Sequence, residues 1–195
     1  MQGLYFQDQV FSNLNHLKLG EYESCKFINC DFSEFDFSKF EFMDCSFINC
    51  NLSLISSYKT LFRDANFVEC KMLGIHFNDC QNVGLSFRFT NCLLNHSIFY
   101  NLKIRKTIFN SCQLQECDFS ECDLKDSSFQ SCELFNAQFD KTNLEACDFR
   151  NAINYTIDPE INKIKNAKFS LNGLEGLLGK YQIQMNNEIV SHQIF

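Results

Sequence analysis

Large apolar residues recur at every fifth position along most of this chain. From Cys25 to Phe89 it divides without a gap into thirteen quintets, such as Cys25-Lys-Phe27-Ile-Asn and Cys45-Ser-Phe47-Ile-Asn. The third residue of each is Phe27, Phe32, Phe37, Phe42, Phe47, Leu52, Ser57, Phe62, Phe67, Met72, Phe77, Asn82 or Phe87, and all but Ser57 and Asn82 are large and apolar. A second run from Cys92 to Asn151 has twelve quintets, centred on Leu94, Phe99, Ile104, Phe109, Leu114, Phe119, Leu124, Phe129, Leu134, Phe139, Leu144 and Phe149. Between Phe87 and Leu94 the step is seven residues instead of five, which places a two-residue bulge near Thr90-Asn91. A helix has a period of 3.6 and a strand a period of 2, so neither keeps one residue in five on a common face. A square coil does: each quintet is one side, the centre and the residue two before it point inward, and four quintets make a turn of 20 residues. Successive turns lie one strand spacing apart, about 4.8 Å.

This pattern resembles the pentapeptide-repeat family, whose motif is Ala, Cys or Ser, then Asp or Asn, then Leu or Phe, then two free positions. The resemblance covers residues 25–151 and implies an all-β, right-handed quadrilateral parallel β-helix. Residues 1–195 read as one domain with repeats at 25–89 and 92–151, an amino-terminal cap at 1–24 and a carboxyl-terminal cap or dimerisation module at 152–195. Leu14, Leu17, Leu19 and Tyr22 are expected to form a first irregular coil. Near the other end, Asp158-Pro159-Glu160 marks a turn and Lys168-Phe169-Ser170 an extended segment. A short helix and a strand complete the expected tail. Asn172 and Glu175 have capping-box spacing, and Leu174, Leu177, Leu178 and Tyr181 form one apolar helical stripe. The stripe either plugs the rod or packs on a second copy, and the two roles are compatible. Gly173, Gly176 and Gly179 weaken the helix and permit close backbone approach.

Composition sharpens the picture. The chain has 23 Phe, no Trp, one Pro and 12 Cys. Every Cys falls at the small inward site two before a centre, a site otherwise taken by residues such as Ala65, Ala137, Ser97, Ser127, Thr60, Thr107 and Thr142. Packing as a small apolar filler is therefore the expected role, and no cofactor, metal or disulfide is called for. His16, His76, His96 and His192 are scattered, which removes the partners a zinc site would need. Buried thiols and the lack of any apolar run of membrane-spanning length point to the cytoplasm, without membrane contact.

The formal net charge of -7 argues against direct nucleic-acid binding. Charge is also banded. Residues 21–44 carry Glu21, Glu23, Asp31, Glu34, Asp36, Glu41 and Asp44 against two lysines, and residues 111–149 carry Glu116, Asp118, Glu121, Asp123, Asp126, Glu133, Asp140, Glu145 and Asp148 against two more. Between them lies a basic band that includes Arg63, Arg88, Lys103, Arg105 and Lys106. Part of the acid belongs to the motif, because Asp before the centre bonds nearby backbone, as expected of Asp118, Asp123 and Asp148. The rest is either a solvated face or a surface for a basic partner.

The run ending in Cys147-Asp-Phe149, followed by Asp158-Pro-Glu-Ile-Asn-Lys-Ile-Lys and a helix, resembles the tail of gyrase-protecting members, the Qnr-type and microcin-immunity proteins. That resemblance implies a homodimer joined through Leu174, Leu177, Leu178 and Tyr181. It also implies an acidic surface that mimics duplex DNA and binds a type II topoisomerase, gyrase or topoisomerase IV. Asp31, Glu34, Asp36, Glu41, Glu116, Asp118, Glu121, Asp123 and Asp126 are the residues expected to make that surface. The alternative is a protein-interaction scaffold with no topoisomerase role. An enzyme is disfavoured, since no Gly-rich phosphate loop and no nucleophile with a base appears.

Overall fold

The computed structural model describes residues 4–183. They coil into a parallel β-solenoid with four faces. Strands pair in register with the next turn on two faces. One sheet joins Leu4–Gln7, Gly20–Glu23, Glu41–Met43 and Leu61–Arg63; the other joins Val10–Ser12, Lys26–Ile28, Ser46–Ile48, Ala65–Val68, Phe87–Thr90, Ile108–Asn110 and Ser128–Gln130. On the remaining faces the turns meet through isolated parallel bridges, such as Asp31 with Asn51 and Asp118 with Gln138.

The core is a set of columns, each built from one quintet per turn. The first face stacks Phe11, Phe27, Phe47, Phe67, Phe89, Phe109, Phe129, Phe149 and Phe169, with ring centroids 4.6–5.4 Å apart and planes within 15°. That is the offset-stacked range. Leu52, Met72, Leu94, Leu114 and Leu134 follow Phe32 on the second face, and Phe77, Phe99, Phe119 and Phe139 align on the third. The fourth face begins with aromatic Phe6, Tyr22, Phe42 and Phe62 and continues through Ile104, Leu124 and Leu144. At the corners, the last residue of nearly every quintet adopts a positive φ, such as 51° at Asp44 and 66° at Lys39. This left-handed residue turns the chain by one side of the square. The residue before a centre often supports the same turn: Asp31, Asp36, Asp118 and Asp148 each accept a hydrogen bond from the N–H two residues on.

The bulge lies elsewhere than the spacing suggested. Phe67 pairs with Phe89 and Ala65 with Phe87, so Phe89 is the centre and Phe87 fills a small-residue site. The two extra residues sit on the fourth face within 81–86, where Asn82 and Val83 are exposed and Leu85 turns inward. Phe87 and Phe89 are both large, apolar and two apart, so periodicity cannot choose between them; register with the turn below does. At the amino end, Phe6 and Phe11 form a coil of their own, stacked on Tyr22 and Phe27. They precede their partners by 16 residues, not 20, which hides this coil from a five-residue pattern. Leu14 and Leu17 pack on the core, but Leu19 is 55% exposed.

The tail helix is shorter than its stripe. Leu171–Gly173 and Gly179–Tyr181 are 3-10 turns that flank a single α-helical turn at Glu175–Leu178. The capping box does not form: Ser170 and Leu174 occupy the cap positions, and neither makes a side-chain cap bond. Tertiary docking decides this geometry. A Cβ on Gly173 would lie 2.1 Å from the Tyr155 hydroxyl oxygen, and one on Gly176 would lie 2.2 Å from the Tyr155 carbonyl oxygen. The segment thus lies flat on the last coil, while the Ile157 N–H donates to the Gly176 carbonyl. No strand follows the helix among the described residues, and the expected one falls outside them.

Phe99 is fully buried, with ring centroids 4.5 Å from Phe77 and 4.9 Å from Phe119. Phe99→Ala is expected to destabilise the fold by about 3–5 kcal/mol in urea unfolding. Gly176→Ala is expected to release the tail turn while leaving the coils intact, seen as new amide exchange confined to residues 170–181.

Candidate functional site

The candidate site is the outer surface of the rod. Each quintet directs three side chains outward, and like positions recur in register on the next turn. The nine acidic residues singled out from sequence do not share a face. Asp31, Glu34 and Glu116 lie along the second face, Asp36, Asp118 and Glu121 along the third, and Glu41, Asp123 and Asp126 along the fourth. The first face carries only Glu69 and Asp148 among the acids of its repeats and four cations, Lys26, Arg88, Arg150 and Lys168.

Several of these carboxylates already have partners. Asp123 is partly buried, which by itself raises a carboxyl pKa, but Arg105, the Lys125 N–H and the Asn143 amide hold it below the usual range. Arg105 Nη2 lies 2.6 Å from Asp123 Oδ2. Glu116 lies 3.2 Å from His96. Asp31 is held low by the hydroxyl and N–H of Ser33, and Asp36 by those of Ser38. Arg150 does the same for Asp148, aided by its own N–H. Asp118 receives the Ser120 N–H at 2.8 Å. Among the described residues, Glu34, Glu41 and Asp126 accept no such hydrogen bond, although Asp126 adds its charge to the field around Arg105.

Among the described residues, shallow clefts interrupt the surface at two places of note. One lies beside the bulge and is lined by Asp44, Asp64, Arg88, Arg105 and Lys106 among others. The second runs between Phe135, Ile153 and the glycines of the tail. Around it the apolar surface is extensive: Phe135 is 53% exposed, Ile153 56% and Leu171 86%. Of the predicted dimer residues, Leu177 and Leu178 are half-buried and Leu177 packs on the core, whereas Leu174 and Tyr181 are exposed. Sequence periodicity missed Phe135, Ile153 and Leu171 because they are not on the helix; only stacking of the last turns brings them beside it. Lys180 ties the tail down through Asp158 and Glu160, each at 2.7 Å.

All twelve cysteines are free and buried. Burial pushes the Cys45, Cys80, Cys117, Cys122 and Cys147 thiols up to about 12. Among the described residues, no group of three or more His, Cys, Asp or Glu is gathered around a point to hold a metal, and no helix is long and apolar enough to cross a membrane.

The sequence profile described as the pentapeptide repeat region matches residues 21–99 and 86–177. The chain belongs to the pentapeptide-repeat family. Compared with curated protein sequences, it has no significant match. Among solved structures, it resembles a trypsin-treated form of QnrB1, a plasmid-mediated fluoroquinolone resistance protein, at 18% identity and a TM-score of 0.62, over 94% of this chain and 98% of that one. It also resembles HetL, a pentapeptide repeat protein involved in heterocyst differentiation regulation from the cyanobacterium Nostoc sp. strain PCC 7120. There the identity is 11% and the TM-score 0.65, over 88% of this chain and 90% of that one. At such identities the likeness is one of fold.

The depressed Asp31, Asp36, Asp123 and Asp148 values have a consequence for stability. A carboxylate held low in the folded state contributes stability above its unfolded pKa, about 3.9, and loses it as pH falls through the folded value. Urea midpoints are therefore expected to be flat from pH 7 to about 5 and to fall below about 4. Asp148→Asn, which keeps the acceptor for the Arg150 N–H, is expected to shallow that acid limb and to lower the unfolding free energy at neutral pH by no more than about 1 kcal/mol.

Proposed function

We propose that this protein is a non-enzymatic rod that acts by binding another protein along its outer faces. The observation that carries this is the architecture itself: the large inward side chains fill the core of the coil, and what remains outside is an ordered array of side chains repeated from turn to turn. The rod's acidic segments favour a basic surface on the partner. Twelve buried thiols suit a reducing, cytoplasmic setting.

A second, narrower function has its own support. The fold likeness to the trypsin-treated form of QnrB1, over 94% of this chain, and the acidic bands favour a DNA mimic that binds gyrase or topoisomerase IV and protects it from quinolones or peptide toxins. Against it stand the spread of the acids over three faces and the basic band between them. Duplex DNA presents its charge as a continuous array. HetL shares the fold equally well, so fold alone does not choose. Self-association through the carboxyl end is supported by the exposed Phe135 and Ile153, which line the tail cleft, and by the exposed Leu171, Leu174 and Tyr181 of the tail itself.

A gyrase supercoiling assay with a quinolone or peptide poison separates the two. The charge-removing variant Glu116→Gln/Asp118→Asn/Asp123→Asn is the appropriate control, because Asn preserves the turn-supporting acceptors. Rescue of supercoiling that this variant loses establishes the DNA mimic. Without rescue, photo-crosslinkers placed at Glu34, Glu121 and Asp126 in the living source cells are expected to trap a protein partner; no adduct at any position rejects the binding rod. Leu171→Asp/Leu174→Asp is expected to convert a dimer to monomer in analytical ultracentrifugation, and a wild-type monomer removes the self-association.

A further inference from the structure

Half of the cysteines occupy a single corner of the coil. Cys30, Cys50, Cys70, Cys92, Cys112 and Cys132 each stand two before a centre of the second face, one per turn for six consecutive turns. The residues that follow them form an unbroken series of parallel bridges, from Asp31 with Asn51 to Gln113 with Glu133. The carbonyls of the first five each accept the N–H from the turn above at 2.9–3.0 Å. The bulge leaves this register intact because its extra residues are absorbed before Cys92. The sulfurs therefore lie one above another, with the Cys30 N–H directed at the Cys50 sulfur at 3.4 Å. All six side chains are at most 2% exposed.

Packing alone does not account for this arrangement. On the neighbouring corner, before the first-face centres, the equivalent column reads Cys25, Cys45, Ala65, Phe87, Thr107, Ser127 and Cys147, so the fold accepts several residue types there. On the second-face corner, six consecutive turns use Cys and only Cys. We propose that this ladder is a buried binding site for soft metal ions of linear two-sulfur geometry, each ion bridging the thiolates of two successive turns.

The spacing fits. Two bonds of about 2.3 Å from a metal to thiolate sulfur, set end to end, span about 4.6 Å, and successive turns are about 4.8 Å apart. Thiols in a line cannot surround an ion tetrahedrally, which disfavours zinc, while soft thiolates select thiophilic ions. Charge also balances: a divalent ion displaces one proton from each of two thiols and leaves a neutral unit, so no net charge is buried. Six thiols pair into three such units. Because the sulfurs are shielded from solvent, loading belongs to folding or to transient opening of a turn.

The test uses Hg(II) as the probe ion. The full reduced chain is refolded with Hg(II), washed with a competing small thiol and examined by native mass spectrometry and X-ray absorption. Two variants with equal thiol counts are compared: Cys50→Ala/Cys92→Ala/Cys132→Ala leaves no adjacent pair in the ladder, while Cys80→Ala/Cys117→Ala/Cys122→Ala leaves it whole. The second is expected to retain about three more ions per chain than the first, each with two sulfur neighbours. Equal retention, or coordination by three or more ligands, overturns the proposal. Should the triple variant fail to fold, Cys92→Ala splits the ladder and is expected to lose about one ion, whereas Cys147→Ala loses none; equal losses reject it.

Discussion

The fold rests on inward side chains stacking in register from turn to turn, most regularly in the first-face column of Phe rings. A phenyl ring in the first-face column has another ring above and below at about the spacing of the strands themselves. Backbone register and ring stacking therefore reinforce each other. Parallel pairing here needs no helical crossover, because the chain reaches the next strand by walking round three other sides. Slipping one turn by a residue would turn its Phe outward and place a charged or polar side chain in the core, so the register is held from within.

The same geometry limits what the surface can do. A square turn needs a left-handed residue at each corner, and a carboxylate or amide before the centre steadies that turn. Much of the acidic character is thus a by-product of coil formation: Asp31, Asp36, Asp118 and Asp148 each bind backbone. Net charge overstates the acidity offered to a partner. Among the described residues, Glu34, Glu41 and Asp126 steady no such turn, so coil formation does not account for their charge.

Legibility from sequence followed the period. Where the quintets ran without interruption, the inward residues, the cysteine positions and the stacked columns from Phe99 onward could all be read, since a period of five has one structural solution. Where the path length of a turn changed, periodicity misled. The alternatives Phe87 and Phe89 differ only in what lies beneath them, and Phe6 and Phe11 fall out of phase because their turn is four residues short. The tail failed for a different reason: Asn172 and Glu175 have helix-start spacing, but Tyr155 beneath Gly173 and Gly176 flattens the segment and leaves one α-helical turn.

Sequence by itself determined the coil, its four-sided section and the inward place of every cysteine, because these follow from local spacing repeated many times. Tertiary structure alone decided how turns of unequal length align. That alignment distributes the nine predicted acids over three faces, gathers Phe135 and Ile153 beside the tail, and joins Cys70 to Cys92 across the bulge into one column of thiols. The physical reason is that a repeat fixes which residues point inward within a turn, whereas the neighbours of a turn are set by hydrogen-bond register between turns, which spacing along the chain does not encode when the turns differ in length.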